Sequence, residues 1–116
     1  MKTLNTEELE ISLYHQNDNA VVSVQGEVDL STVTTLQEAL EKCASQLPEG
    51  SRLVVDLRQV GFIDSAGLAL LVKIWKQFET RWQLTLIIAP SSQPERVLKL
   101  GRFDHFFRVI HTPEEL

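Results

Sequence analysis

The sequence predicts one α/β domain: a small mixed sheet, mostly parallel, with helices packed mainly on one side. The chain has 116 residues, which suits one hydrophobic core and assigns residues 1–116 to a single domain. Two strand patterns come first, and helices and short apolar strands then alternate. Helices between buried strands imply right-handed crossovers and parallel pairing, whereas the opening hairpin makes the sheet mixed.

Each element is predicted from the spacing of its apolar residues and from the residues that begin or end it. Polar and apolar residues alternate in the first strand, short apolar runs indicate buried strands, and spacings of three and four indicate helices. The predicted elements are strands over 10–14 and 20–24, a helix from Ser31 or Thr32 to about Ser45, a strand over 53–55 ending at Asp56, a loop over 58–63, a helix from Asp64 or Ser65 to about Thr80, a strand over 84–88, a helix over 95–100, a strand over 106–110 and a brief helix start over 112–115.

Composition excludes several classes of protein. The net charge of −5 disfavours general binding to nucleic acid, because an acidic surface repels phosphate backbones. The single cysteine, Cys43, makes no internal disulfide and is expected to pack as a small hydrophobe on its helix. The polar start is unlike a signal peptide, and no apolar run approaches the roughly 20 residues of a membrane helix. We therefore expect a cytoplasmic protein that does not insert into membranes.

The segment 60–68 (VGFIDSAGL) carries the strongest signal for function. It leads from an apolar run through a tight loop to Ser65 at a helix start, where unpaired backbone N–H groups favour negative charge. A hydroxyl there can carry a phosphate with dipole support of roughly 0.3–1 kcal/mol. Gly67 costs about 1 kcal/mol against alanine in a helix, which suggests that another chain approaches closely. On these grounds alone, Asp64 or Ser65 also fits an ordinary helix cap.

The helix that follows Ser65 has an unusually wide apolar face. Five residues share one side, and Leu70 and Ile74 widen the apolar arc to roughly 200°, beyond a minimal core-facing stripe. We infer that Leu70 and Ile74 lie at the edge of the core, where they can meet a partner. The alternative is that they pack under a neighbouring element.

Three stretches of the chain resemble one known family. Residues 62–68 (FIDSAGL) resemble the signature of the STAS domain, and more narrowly that of bacterial anti-sigma-factor antagonists: an apolar pair followed by Asp-Ser-Ser/Thr-Gly-Leu. Residues 26–29 (GEVD), followed by Thr32 and Leu36, are similar to a second family motif. Residues 96–103 are more weakly similar to the family's helix before the last strand. The resemblance covers nearly the whole chain in order.

The resemblance implies a switch controlled by phosphorylation and no enzymatic activity of the chain itself. In such proteins an anti-sigma factor that is also a serine kinase, here expected to be of the GHKL type, phosphorylates the first serine of the motif, which is Ser65. The unmodified protein binds that kinase and frees the sigma factor; the phosphorylated form releases it, and a metal-dependent PPM-type phosphatase resets the switch. The expected partner-binding residues are Asp29, Asp64, Ala66, Gly67, Leu70 and Ile74.

The chain departs from the family pattern at one motif position. Ala66 stands where the family has a second Ser or Thr, so Ser65 is the only hydroxyl of the motif. The C-terminus also looks shorter than usual, so the closing helix is expected to be vestigial. The sequence leaves open a STAS subunit that acts without phosphorylation, as the small partner of a membrane transport ATPase.

Other chemistries find little support in the sequence. A serine hydrolase needs Gly-x-Ser-x-Gly, but Ile63 holds the place of the first glycine. A phospho-aspartate receiver needs an acidic pair after its first strand, and residues 14–18 offer no such pair. The sequence also has no Gly-x4-Gly-Lys-Ser/Thr loop for ATP. Asp29, Asp56 and Asp64 are conceivable metal ligands, although aspartates at strand ends and helix starts more often serve turns and caps. We expect no cofactor and no metal.

Overall fold

The elements follow one another in the predicted alternation. The computed structural model describes residues 2–5, 9–78 and 82–116. In chain order, the elements within those residues are β1 (Lys2–Asn5), β2 (Leu9–Gln16), β3 (Asn19–Val28), α1 (Val33–Ser45), β4 (Ser51–Ile63), α2 (Ser65–Phe78), β5 (Trp82–Ile87), α3 (Gln93–Leu100) and β6 (Arg108–Ile110), with single 3₁₀ turns at Phe103–His105 and Pro113–Glu115. The expected end of the second helix, near Thr80, lies outside the described residues.

The described strands form one mixed sheet in the order β1-β2-β3-β4-β5-β6. β2 pairs antiparallel with both β1 and β3, whereas β3–β4, β4–β5 and β5–β6 are parallel. Each parallel pair is joined through one helix, and right-handed crossovers between successive neighbours place all three helices on one face. The buried residues of α1, α2 and α3 accordingly share one core cluster with one face of the sheet. The predicted fold class is confirmed.

The opposite face of the sheet has a smaller apolar cluster. Val21, Val54, Ile87 and Ile110, one from each of four strands, form this cluster, and Tyr14 and Leu116 pack against them. The turn at Pro113–Glu115 is held by a capping box in which Thr112 and Glu115 bond each other's backbone. This cluster lies away from the helices.

The structure differs from the predicted elements in two places. β1 was not predicted at all, and it pairs with β2 from Lys2↔Leu13 to Asn5↔Glu10. Residues 58–63, expected as a loop, continue β4 as far as Ile63. Of the described strands, only β3 pairs with that segment, because the pairing of β4 with β5 ends at Asp56↔Ile87. Its polar residues and Gly61 resemble a loop because one side of the strand has no strand neighbour.

The prediction that Leu70 and Ile74 lie at the edge of the core was also wrong. Leu70 is 4% exposed and Ile74 is 0% exposed, so neither offers a surface to a partner. α2 packs against both β4 and α1. The alternative reading, burial under a neighbouring element, is the correct one.

The topology brings two helix starts together at the carboxyl edge of the sheet. β3 and β4 are parallel neighbours, and their last paired residues are Val28 and Ile63. Each strand is followed at once by an aspartate, Asp29 after β3 and Asp64 after β4. The loops that lead into α1 and α2 therefore lie next to each other.

Candidate functional site

Asp64 is the residue that caps α2. Its Oδ1 accepts a hydrogen bond from the Gly67 N–H at 3.1 Å, and its carbonyl accepts one from the Leu68 N–H at 3.0 Å. Its own N–H donates to the Val28 carbonyl at 3.1 Å, which anchors the helix start to β3. Of the two candidates for the cap, the geometry thus selects Asp64.

Ser65 has its hydroxyl free for chemistry. It is the first residue of α2 and is exposed, and no hydrogen bond joins its hydroxyl to any residue that the structure describes. The backbone N–H groups of Ser65 and Ala66 belong to the first turn, where a helix supplies no acceptor. A negative group on Ser65 would lie beside these donors and the positive end of the helix dipole.

The neighbouring start of α1 is organised by Asp29. Its Oδ1 accepts from the Ser31 hydroxyl at 2.7 Å, the Ser31 N–H at 2.9 Å and the Thr32 N–H at 3.2 Å. The hydroxyl bond from Ser31 is the main reason that the pKa of Asp29 lies below its ordinary value. Asp29 therefore holds the loop that leads into α1 in place.

One hydrogen bond joins the two loops. The Leu30 N–H donates to Asp64 Oδ2 at 3.2 Å, so both oxygens of the Asp64 carboxylate have partners. Leu30 itself is 79% exposed. It lies at the Ser65 end of the molecule because its backbone is bonded to the residue before Ser65. Sequence reasoning did not identify Leu30, although a large apolar residue among Asp29, Ser31 and Thr32 is a detectable signal.

Gly67 serves internal packing and not the approach of a partner. It is buried, and a Cβ built on it would lie 2.6 Å from Ile63 Cγ1 and 2.8 Å from Val28 Cγ1. The close approach is made by the ends of β3 and β4 beneath the helix. The expectation that another chain contacts Gly67 was therefore wrong, whereas the inference that the position requires a glycine is supported.

Asp56 lies far from this site. Because β4 continues to Ile63, Asp56 is seven residues from the end of the strand, roughly 20 Å away along an extended chain. It is buried and forms an ion pair with Arg58 at 2.7 Å. Asp56 is therefore not brought together with Asp29 and Asp64, the other two aspartates considered as metal ligands. Among the described residues, no group of three or more His, Cys, Asp or Glu side chains is placed to hold a metal ion.

A groove runs along α2 from Ser65. Its volume is ≈ 580 Å³. The helix contributes residues three or four positions apart, so they form one stripe, and Phe103 forms part of the opposite wall. The groove is lined by Ser65, Leu68, Ala69, Val72, Lys73, Lys76, Gln77 and Phe103. The residues of α2 that line the groove therefore form its accessible stripe, and this stripe does not include Leu70 or Ile74.

A second exposed apolar side chain lies close to Ser65 in sequence. Phe62 is 41% exposed and pairs with Glu27 at the end of β4. Leu30, whose backbone is bonded to Asp64, and Phe62, three residues before Ser65, are thus exposed apolar residues near the start of α2. At the far end of α2, Trp75 packs edge-on against Phe106 with ring centroids 5.1 Å apart. Cys43 is half-buried against the core as predicted, and burial raises the pKa of its thiol.

Curated relatives of the chain share a name that describes regulation. The chain is 30% identical over 102 residues to the anti-sigma-F factor antagonist RsfB of Mycobacterium tuberculosis, an alignment that covers 88% of this chain and 81% of that protein. None of the described helices has the length and apolar character needed to cross a membrane.

Solved structures share the fold. A crystal structure of an anti-sigma factor antagonist from Mycobacterium paratuberculosis matches with a TM-score of 0.79 at 26% identity, over 97% of this chain and 94% of that one. SpoIIAA from Bacillus, solved in its phosphorylated form, matches with a TM-score of 0.60 at 19% identity, over 90% of this chain and 94% of that one. The family model for the STAS domain matches residues 10–116, and the chain therefore belongs to the STAS domain family.

Proposed function

We propose that this chain is an anti-sigma-factor antagonist whose binding is switched by phosphorylation of Ser65. In its unmodified form it binds an anti-sigma factor that is also a GHKL-type serine kinase, and so frees the sigma factor. The phosphorylated form releases that partner, and a PPM-type phosphatase restores the first form. The chain is a binding regulator of the cytoplasm and not an enzyme. The name of the mycobacterial relative and the phosphorylated form of SpoIIAA support the proposal.

The observation that carries the proposal is that Asp64 caps α2 and leaves the hydroxyl of Ser65 available. Asp64 supplies the cap, so the Ser65 hydroxyl is not needed to hold the helix. It is exposed at the site where a phosphate gains from the first-turn N–H groups. Ala66 removes the neighbouring hydroxyl of the family pattern, so one residue would carry the whole switch.

A phosphate on Ser65 would change the surface more than the fold. It adds about −1.5 to −2 charges near neutral pH, next to Asp64. The carboxylate of Asp64 already accepts from two N–H groups, and the helix dipole favours the added charge by roughly 0.3–1 kcal/mol. The internal cost is therefore small. A partner seated over Leu30 and Phe62 would instead meet a bulky dianion, which opposes a close-packed or acidic contact.

The proposed contact surface consists of exposed residues around the switch. Leu30 and Phe62 supply apolar area, Ala66 lies beside Ser65, and the groove along α2 continues the surface. Asp29 and Asp64 contribute by holding the two loops, because their carboxylates are already engaged with backbone groups. The partner-binding set predicted from sequence is thereby revised: the buried residues Gly67, Leu70 and Ile74 are removed, and Leu30 and Phe62 are added.

The proposal is tested by binding of four chains to the purified anti-sigma factor of the source organism. Wild type and Ser65→Ala are expected to bind, whereas Ser65→Asp should bind at least tenfold more weakly. Ser45→Asp is the matched control: Ser45 is an exposed serine at the far end of α1, and the charge added there should leave affinity unchanged. Calorimetry gives the affinities, and circular dichroism checks that all four chains fold.

A second arm tests the modification itself. Incubation of wild type with that anti-sigma factor and ATP should yield one phosphorylated residue, Ser65, by peptide mass spectrometry, and Ser65→Ala should yield none. Equal binding of wild type and Ser65→Asp would refute the switch. If both chains instead bound a membrane transport ATPase equally, the alternative of a phosphorylation-independent subunit would replace the proposal.

A further inference from the structure

The end of β4 lacks a strand neighbour on one side. β3 pairs with β4 as far as Val28↔Ile63, but β5 pairs with it only as far as Asp56↔Ile87. Along residues 57–63, the side of β4 that faces away from β3 therefore has no strand among the described residues to bond its backbone. Ile63 lies at the end of this segment, two residues before Ser65, so the hold on its backbone bears directly on the position of Ser65.

The side chain of Gln93 takes the place of the missing strand at Ile63. Its Oε1 accepts from the Ile63 N–H at 2.8 Å, and its Nε2 donates to the Ile63 carbonyl at 2.9 Å. A primary amide offers an acceptor and a donor side by side, as the backbone of a neighbouring strand would. Both backbone groups of Ile63 are thereby satisfied by a residue thirty positions away.

Gln93 is itself held firmly at the start of α3. The Ser92 side chain caps that helix by accepting from the Glu95 N–H at 3.3 Å, and the Ser92 hydroxyl donates to the Ala89 carbonyl at 2.7 Å. Pro94, next to Gln93, is buried, as is Leu98 one turn further on. The Gln93 amide therefore reaches Ile63 from a fixed base, which links α3 to the loop that carries Ser65.

We propose that Gln93 is a positioning residue for the Ser65 switch: its amide fixes the backbone of Ile63 and so sets the conformation in which Ser65 and its surroundings meet the partner. The inference rests on the function proposed above. No described hydrogen bond joins Gln93 to Ser65. The side chain of Gln93 is bonded to Ile63, and it acts on Ser65 through that residue. Hydrogen bonds thus hold the loop from two sides. The Asp64 N–H is bonded to Val28 of β3, and the backbone of Ile63 is bonded to Gln93 of α3.

The test uses Gln93→Met, which keeps the length of the side chain and removes both hydrogen bonds. Gln83→Met is the matched control, because Gln83 is exposed near the start of β5, at the opposite end of the parallel strands. Amide hydrogen exchange by NMR should show a loss of protection at Ile63 of roughly tenfold or more in Gln93→Met. Val55, in the middle of β4, should keep its protection, and Gln83→Met should match wild type.

The functional arm measures affinity for the same purified anti-sigma factor. We expect Gln93→Met to bind at least fivefold more weakly than wild type, although it folds. Unchanged protection at Ile63, or unchanged affinity despite a loosened loop, would overturn the inference. Failure of the proposed function has a different signature. In that case Ser65→Asp binds the anti-sigma factor with the same affinity as wild type, whatever the affinity of Gln93→Met.

A third variant asks whether the hydrogen-bond pattern itself matters. In Gln93→Glu the carboxylate can accept from the Ile63 N–H but faces the Ile63 carbonyl oxygen without a proton to donate. Protonation below about pH 5 restores the donor. The Ile63 protection factor should therefore recover on acidification in Gln93→Glu and stay low in Gln93→Met. Parallel behaviour of the two variants would count against positioning through this pair of bonds.

Discussion

The starts of α1 and α2 stand side by side at one edge of the sheet, yet they are built differently. Each follows a parallel strand and begins with an aspartate, Asp29 in one and Asp64 in the other. At α1 the nearby hydroxyls are committed: Ser31 donates to Asp29 at 2.7 Å, and Thr32 donates to the Glu27 carbonyl at 2.8 Å. At α2 the carboxylate caps the helix and the hydroxyl of Ser65 is exposed.

The difference shows how to separate a hydroxyl that stabilises from one that is available for modification. Both loops have an Asp within three residues of a Ser or Thr before a helix, a pattern from which sequence alone predicts a cap in each case. Thr32 is 2% exposed and bonded on two sides, so no enzyme reaches it in the folded chain. Ser65 is exposed, and its removal costs the helix no described bond. Availability follows from geometry and not from residue type.

Replacement of the two hydroxyls should give the largest contrast. Thr32→Val keeps the shape but deprives the Glu27 carbonyl of a donor and the Asp29 N–H of an acceptor, so we expect a loss of about 1–3 kcal/mol in the free energy of unfolding. Ser65→Ala should change it by less than about 0.5 kcal/mol. Urea unfolding followed by circular dichroism measures both. Similar losses in the two variants would contradict the proposed division of roles.

The sequence predicted the parts of this arrangement that depend on local patterns. Apolar alternation and helix spacing located most elements, and the segment FIDSAGL located the exposed serine at a helix start. The surroundings of that serine could not be predicted, because they depend on contacts between distant residues. The Leu30 N–H reaches Asp64 across 34 positions, and Gln93 reaches Ile63 across 30.

The errors have physical causes of the same kind. Residues 58–63 look like a loop because a strand with one neighbour tolerates polar residues and Gly61. Leu70 and Ile74 looked like edge residues because the pattern of one helix cannot show that a second helix covers it. Gly67 was correctly recognised as necessary, but the chain that approaches it is its own β3 and β4.

Added volume beneath the start of α2 should have a somewhat smaller effect on stability. Gly67→Ala brings a methyl group against Ile63 and Val28, which are both buried and β-branched. Overpacking of this kind costs about 1–3 kcal/mol, and the better helix propensity of alanine returns about 1 kcal/mol. We expect a net loss of about 1 kcal/mol in urea unfolding.

Gly61→Ala is the matched control for that substitution. A Cβ on Gly61 meets nothing within 4 Å, so the same chemical change two residues before the end of β4 should be neutral. If both variants were neutral, the neighbours of Gly67 would have given way, and the close approach beneath α2 would not be what requires a glycine there.

The smallest expected effect concerns the charge that organises the start of α1. The pKa of Asp29 lies below its ordinary value, chiefly because of the Ser31 hydroxyl. The folded state therefore favours the charged form, and this contribution is present above the unfolded pKa and is lost as pH falls through the folded pKa. The difference in stability between wild type and Asp29→Asn should be greatest near neutral pH and should shrink below about pH 4.

A direct measurement of the Asp29 pKa identifies the responsible bond. Carboxyl-carbon NMR should show that the pKa of Asp29 rises towards its ordinary value in Ser31→Ala, since the strongest donor to the carboxylate is gone. Thr34→Ala is the control: Thr34 is an exposed threonine in the first turn of α1, and no described hydrogen bond joins it to Asp29. An equal rise in both variants would mean that the general field of the helix start, and not the committed hydroxyl of Ser31, holds the pKa down. The contrast with the free hydroxyl of Ser65 would then rest on Thr32 alone.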